Sequence, residues 1–329
     1  MKSVQFKGYL FGIIASISYG LNPLFALPLY SDGFSTDSVL LYRYAFAVVL
    51  LGAAMKLRRK SFALKRSEIL PAIVMGLLFS LSSFFLFESF NYMDAGVAST
   101  ILFMYPVIVA LIMALCFHEK LGLMKIISIA AAFTGISMLY EGEGGTTLNT
   151  TGICLVLLSS LSYALYIVGV NRSTLRAMPS LRLTFYALLF GSSVYIVRLH
   201  GLFDLQPLTN AQQWSEAFGL ALFPSLISMV TIAKAIRYIG PTPAAILGAL
   251  EPLTALFVGV MVFDEHLTET NMAGVILILF SVTMLAAGRR GWQLVKATFH
   301  KRSANVFFHR VHLRRKFSLK RNKNATHNI

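Results

Sequence analysis

Apolar residues in this chain run on for about 18 to 23 positions at a time, too long for core strands and too continuous for half-buried helices. A helix rises about 1.5 Å per residue, so each run is long enough to cross roughly 30 Å of hydrocarbon. Such runs lie near residues 8–30, 38–57, 69–91, 95–117, 123–140, 152–171, 180–199, 215–236, 242–263 and 270–288. Within a bilayer every backbone N–H and C=O must find a protein partner, which leaves helices and closed barrels. A barrel is disfavoured because these runs do not alternate and exceed the roughly 10 residues of a tilted strand. With 56% hydrophobic and only 13% charged residues, the chain cannot be wrapped as a soluble globule. The expectation is an all-α membrane protein of ten transmembrane helices.

Lys and Arg in the short connections set the orientation. The second connection carries Lys56, Arg58, Arg59, Lys60, Lys65 and Arg66, the fourth Lys120 and Lys125, and the sixth Arg172 and Arg176. The first has Asp32 and Asp37 without a base, the third only Asp94, and the fifth Glu141 and Glu143. Basic connections face the cytoplasm, so both termini are expected there, in a multi-pass membrane chain. Lys234 and Arg237, read beside an outer loop, and Asp264 and Glu265, read beside an inner one, fit this less well. The first run is too long for a cleaved signal peptide and ends without a clean small-x-small site. Cys116 and Cys154 fall inside expected spans, which argues against a disulfide framework or a metal site.

Residues 289–329 form a separate compositional unit with 12 Lys and Arg and no acid, so +12 of the formal net charge of +15 lies there. Its expected partner is the anionic headgroups beside the last span. Nucleic-acid binding is not expected, because Phe299, Phe307, Phe308 and Phe317 are too scattered for an aromatic platform.

The chain also repeats itself. Residues 87–121 are answered by 233–267, with Tyr92 against Tyr238, Ala98 against Ala244, Pro106 against Pro252, Glu119 against Glu265 and Leu121 against Leu267. Earlier landmarks match too: Ser16, Ser18 and Tyr19 with Ser160, Ser162 and Tyr163, then Ser38 and Tyr44 with Ser180 and Tyr186. Each half holds five spans. Five is odd, so the halves enter the membrane from opposite sides as an inverted pair, an arrangement that builds carriers with a shared midplane site. The expected organisation is residues 1–145, residues 146–288 and the basic tail.

This architecture, the early Arg in Leu41-Tyr42-Arg43-Tyr44, and the stretches from Tyr105-Pro106 to Glu119 and from Glu251-Pro252 to Glu265 resemble the drug/metabolite transporter superfamily, in its EamA-like branch. The resemblance covers roughly residues 8–288. It implies a secondary carrier or exporter of the inner membrane with a central cavity walled by both halves.

Ionisable residues at membrane depth are costly, so each is a candidate. Glu251 lies near the centre of the ninth span directly before Pro252, which frees a carbonyl near Gly248. It either serves a solute or coupling proton, or is half of a buried ion pair. Its repeat counterpart is Tyr105. Arg43 either binds an anionic substrate group or anchors Glu88 or Asp37. Glu88 and Lys234 occupy corresponding positions; read as two outer ends, they either meet as a gate or snorkel separately to the headgroups. Asn22-Pro23 and Pro224-Ser225 mark helix breaks. Asn22, Tyr19, Tyr163, Tyr166 and Tyr186 either give the cavity polar, flat walls or bond neighbouring helices. Glu119 and Glu265, read as two cytoplasmic span ends, are expected to hydrogen-bond the start of the following helix, with an inner gate as the alternative.

Gly142-Glu143-Gly144-Gly145 lacks the Lys of a phosphate loop, and the chain has neither a His-Glu-x-x-His motif nor a nucleophile elbow. No enzyme activity, cofactor or metal is therefore expected. The function expected is alternating-access export of a small metabolite, such as an amino acid or a related amphipathic solute. The alternatives are a membrane-embedded enzyme, which would cluster His, Asp or Arg at one interface, and a passive channel, whose flux would not saturate.

Overall fold

The computed structural model describes residues 2–118, 122–140, 149–239, 244 and 247–284. The basic tail, Glu119, and the glycine turn at 142–145 lie outside them. The described residues form helices and their connections. Seven helices are long and apolar enough to cross a membrane: Gln5–Ser31, Thr36–Leu57, Arg66–Ser89, Ala95–Phe117, Thr150–Arg172, Ser180–Arg198 and Ala211–Ile239. Three shorter apolar helices, Ile126–Met138, Leu250–Val262 and Glu269–Met284, stand where the fifth, ninth and tenth runs are expected.

Several of these runs are broken into pieces. The first divides at Leu21 into α1 (Lys2–Gly20) and α2 (Asn22–Ser31). The helices α3 (Thr36–Leu57) and α4 (Arg66–Ser89) are continuous. The fourth run splits into α5 (Ala95–Leu102) and α6 (Tyr105–Phe117), followed by α7 (Leu123–Tyr140). Then come α8 (Thr150–Arg172), α9 (Ser180–Arg198) and α10 (Ala211–Leu220). A π-helical stretch, Ala221–Ile227, joins α10 to α11 (Ser228–Ile239). The described chain closes with α12 (Leu250–Val262) and α13 (Glu269–Met284).

Proline accounts for the breaks, because each proline lacks the N–H that would bond the carbonyl four residues earlier. Side chains take over several of these orphaned carbonyls. Asn22 Nδ2 donates to Tyr19 O at 2.8 Å, one turn before Pro23. Ser225 Oγ reaches Leu220 O at 3.3 Å, the carbonyl freed by Pro224. Thr174 Oγ1 donates to Ser67 O at 3.0 Å, four residues before Pro71. Ser160 Oγ lies 3.3 Å from Leu102 O, the carbonyl freed by Pro106. For Pro252 the backbone tightens instead, and the Gly248 carbonyl accepts from Glu251 N–H at 3.0 Å. Thr174 and Ser160 reach across from one half to the other, so the carbonyls freed by Pro71 and Pro106 also fasten the halves together.

Several helix contacts recur under exchange of the halves. The contact of α4 with α8 has its counterpart in α1 with α11, and that of α6 with α8 in α12 with α1; α3 pairs with α9, and α5 with α12. A Cβ on Gly20 would strike the Glu251 carbonyl, and one on Gly96 would lie 2.8 Å from Leu256 Cα, so glycine permits these two crossings.

Two ends of the bundle differ in chemistry. At one, Arg182 Nη1 donates to Ala63 O at 2.9 Å and Tyr186 OH donates to Phe62 O, gathering the basic connections. At the other, Arg198 grips Asp37 at 2.6 and 3.0 Å, Gln213 donates to Asp32 at 2.9 Å, and Gln206 donates to Gly33 O at 2.7 Å. We call these the basic and acidic ends. At the acidic end Asn149 and Asn210 side chains cap α8 and α10, accepting from Thr151 N–H and Gln213 N–H.

Candidate functional site

A cavity of about 350 Å³ lies among helices of both halves. Its walls include Tyr19 of α1, Arg43 of α3, Phe79, Ser82 and Ser83 of α4, Tyr105 of α6, Tyr163 of α8, Ser228 of α11 and Glu251 of α12. The broken helices shape it: Tyr105 and Glu251 each sit in the first turn of a half-helix that begins inside the protein. A carboxylate in that place is favoured by the partial positive charge of the helix start.

Arg43 is only 3% exposed. Its Nε donates to Ser225 Oγ at 3.4 Å, and its guanidinium carbon sits 5.1 Å from the Phe87 ring centroid. The serine that contacts Arg43 is also the one that answers the Pro224 break. Neither Arg43 nor Glu251 takes part in a direct ion pair among the described residues, although each lies within the field of the other. The two anchors considered for Arg43 are occupied elsewhere, Asp37 by Arg198 and Glu88 by Thr36 Oγ1 at 2.6 Å.

Aromatic rings form one wall. Tyr105 and Tyr163 meet edge to face at 4.7 Å, and Phe79 lies 6.2 Å from Tyr163. Behind them Tyr166 stacks on Tyr163 at 5.9 Å and approaches Phe79 at 5.3 Å. Hydroxyls adjoin them on the same helices: Ser83 Oγ accepts from Tyr44 at 2.8 Å, and Ser82 pairs with Ser159 at 3.2 Å.

Among the residues singled out in the sequence, Arg43, Tyr105, Tyr163 and Glu251 come together on this cavity, as does Tyr19. Others do not. Asn22 is spent on the Tyr19 carbonyl and its Oδ1 is buried without a partner, so it serves the helix break and is absent from the cavity wall. Tyr166 is one layer behind the wall, and Tyr186 bonds the Phe62 carbonyl at the basic end. Glu88 and Lys234 do not meet. Glu88 accepts from Thr36 at the acidic end, whereas Lys234 lies 4.7 Å from the Phe11 ring centroid, early in α1. Some 20 residues of broken helix from Phe11 to Ser31 separate those levels, on the order of 30 Å. Corresponding positions of the repeat therefore lie at opposite ends of the bundle here.

The same logic corrects Glu265. Its carboxylate accepts from Ala95 N–H at 2.8 Å and Gly96 N–H at 3.3 Å, so it caps α5 at the acidic end and not the helix that follows it. Partial burial, with Asp94 beside it, holds its carboxyl up at about 7 despite those two bonds. Phe79, Ser82, Ser83 and Ser228 entered no sequence argument; their spacing resembles ordinary helix packing, and only the fold turns them toward the cavity.

A profile of the EamA-like transporter family matches residues 6–141 and again 150–287. This chain belongs to the EamA-like transporter family. Among its relatives are an uncharacterized transporter of Synechocystis, sll1319, 27% identical over 67% of each chain, and the uncharacterized transporter YvbV of Bacillus subtilis, 24% identical over 68% of this chain and 73% of that one. The uncharacterized inner membrane transporter YedA of Escherichia coli is 25% identical over 59% of this chain and 63% of its own. A solved structure titled only as a protein crystal structure superposes with a TM-score of 0.59 at 17% identity, covering 84% of this chain and 95% of that one, and so shares the fold. Family and relatives make the chain a membrane transporter with a small-molecule substrate.

Proposed function

We propose that this EamA-family member is an inner-membrane secondary carrier that exports a small amphipathic metabolite, of which an amino acid is the type case, by alternating access. In this reading it has ten spans in two inverted halves, both termini cytoplasmic. The observation that carries the proposal is the shared cavity, where the buried Arg43 guanidinium and the half-buried Glu251 carboxylate face the same space without being ion-paired to each other. An unpaired charge in a low-dielectric interior is expensive, and a zwitterionic solute would offset both at once, its carboxylate to Arg43 and its ammonium to Glu251. The tyrosine and phenylalanine wall suits a flat or apolar side group, and about 350 Å³ lies at the small end of ligand pockets. The recurrence of helix contacts under exchange of the halves supports the rocking of one half against the other that alternating access requires.

The test is flux in proteoliposomes, after a counterflow screen of amino acids, nucleosides and sugars has identified a solute. Glu251→Gln is expected to abolish flux while leaving circular dichroism and gel-filtration behaviour unchanged. Wild-type flux in that variant removes Glu251 from the mechanism, and flux that does not saturate points to a channel.

A further inference from the structure

At the basic end a second pocket, of about 180 Å³, lies between the end of α3, the start of α9 and one face of α11 from Met229 to Arg237. Its polar lining is Arg58, Lys234 and Arg237, and among the described residues no carboxylate lines it. The rest is apolar, including Leu181 and Val230. Lys234 is half-buried and rests over the Phe11 ring, so its charge is held in place.

The repeat shows why this corner lacks an acid. Under exchange of the halves the matching corner lies at the acidic end, formed by the start of α3, the end of α4 and the end of α9. There Arg198 is gripped by Asp37 at 2.6 and 3.0 Å, with Glu88 accepting from Thr36 beside it. The register that aligns Ser38 with Ser180 places Pro179 opposite Asp37, and the register of residues 87–121 places Lys234 opposite Glu88. One corner therefore supplies its own anions, and the other has replaced both of them, one by a neutral residue and one by a cation.

We propose that this second pocket is an anion site which takes a phosphate-type oxyanion, supplied either by an acidic phospholipid headgroup or by a free phosphate. The bound anion stands in for the two missing carboxylates and fastens α11 to the ends of α3 and α9, as Asp37 fastens Arg198 across the other end. Arg58 and Arg237 supply planar donor forks suited to phosphate oxygens, and Lys234 adds a point charge from below. Met229 lines this pocket and the central cavity alike, so an occupant here sits one side chain away from the carrier site. The inference does not depend on which solute is carried.

The experiment is thermal unfolding of the full-length purified protein in neutral detergent, titrated with phosphatidylglycerol, with phosphatidylcholine, and with inorganic phosphate against chloride at equal ionic strength. Wild type should be protected by phosphatidylglycerol or by phosphate and not by phosphatidylcholine. Protection by phosphatidylglycerol alone identifies the lipid as the source, and protection by phosphate without lipid identifies the free anion. The double variant Lys234→Gln/Arg237→Gln should need about a hundredfold more anion for the same shift, roughly tenfold for each charge-assisted bond lost. Lys60→Gln, in a nearby basic connection, should titrate like wild type. The basic tail is present in every variant and cancels from the comparison. Should the double variant not be recovered, Arg58→Gln at an exposed helix end should show the roughly tenfold weakening alone. The proposal is overturned if neither anion protects wild type, or if the recovered pocket variants are protected at the wild-type concentration.

Discussion

Replacing Asn22 by Leu should destabilise the protein only while Pro23 is present. Asn22 is 4% exposed, and its Nδ2 gives the Tyr19 carbonyl a 2.8 Å hydrogen bond in place of the N–H that Pro23 lacks. Leu has the same branched heavy-atom skeleton and no donor, so the Tyr19 carbonyl is left buried without its partner, at a cost of about 1–3 kcal/mol. The buried Asn22 Oδ1, which has no partner, disappears in the same substitution and offsets part of that cost. We therefore expect a net loss near the lower end, about 1 kcal/mol, in keeping with the modest hydrogen-bond energies measured in membrane bundles. Pro23→Ala restores an N–H at position 23 that can bond Tyr19 O directly, which makes the Asn22 amide redundant. In a double-mutant cycle of reversible unfolding in mixed micelles, Asn22→Leu should then be nearly neutral or slightly stabilising in the Pro23→Ala background, with a coupling of about 1 kcal/mol. Equal costs in both backgrounds would refute the argument, because Asn22 would then be acting on something other than the break.

Gly259→Ala should cost about 1–3 kcal/mol by overpacking, since the new Cβ would collide with the Glu265 carboxylate, and the cost should shrink in a Glu265→Ala background. Because the Glu265 carboxyl is held up at about 7, above its usual value, the capped arrangement binds a proton more readily than an opened one. Its contribution to stability is therefore fully present at acid pH and lost as pH rises through about 7, with Asp94 and His266 as the neighbouring charges. The melting temperature of wild type should accordingly fall from pH 6 to pH 8 more steeply than that of Glu265→Gln; parallel profiles would count against the assignment. Arg43→Lys, which keeps the charge and loses the fork, should reduce flux at least tenfold at unchanged expression, measured in the same proteoliposomes. Thr174→Val should lower stability by about 1 kcal/mol, and by less in a Pro71→Ala background, through the bond to Ser67 O.

Some of the site could be read before any coordinates. Glu251, Tyr105 and Arg43 announce themselves because charge or hydroxyl at membrane depth is costly, and Tyr163 follows from its register with Tyr19. Position along a span does not say which way a side chain faces, which is why the two roles of Tyr166 and Tyr186 stayed open in the sequence. Tyr163 and Tyr166 share a helix face, about 60° apart, and Tyr166 stacks on Tyr163 close to one turn further along α8, past the cavity wall. Tyr186 found its partner in the connection after α3, whose path no periodicity encodes. Between the two alternatives for Glu88 and Lys234 the sequence could not choose for a different reason: alignment reports equivalence within a half, not proximity between the halves.

Run length, charge placement and the repeat belong to the sequence alone, since bilayer thickness and the cost of unpaired backbone in hydrocarbon leave a chain like this no fold but a bundle of membrane helices. The breaks at Asn22-Pro23 and Pro224-Ser225 were legible too, whereas Pro71 leaves α4 continuous. Which side chain would answer each orphaned carbonyl was not legible, because Ser160 and Thr174 come from the opposite half and their reach depends on how the halves pack. Tertiary structure alone decided that Arg43 and Glu251 share one cavity without pairing directly, and that the basic corner lacks the acids its counterpart has. Both outcomes depend on distances between helices far apart in the chain, and such distances are set by side-chain packing across the interface.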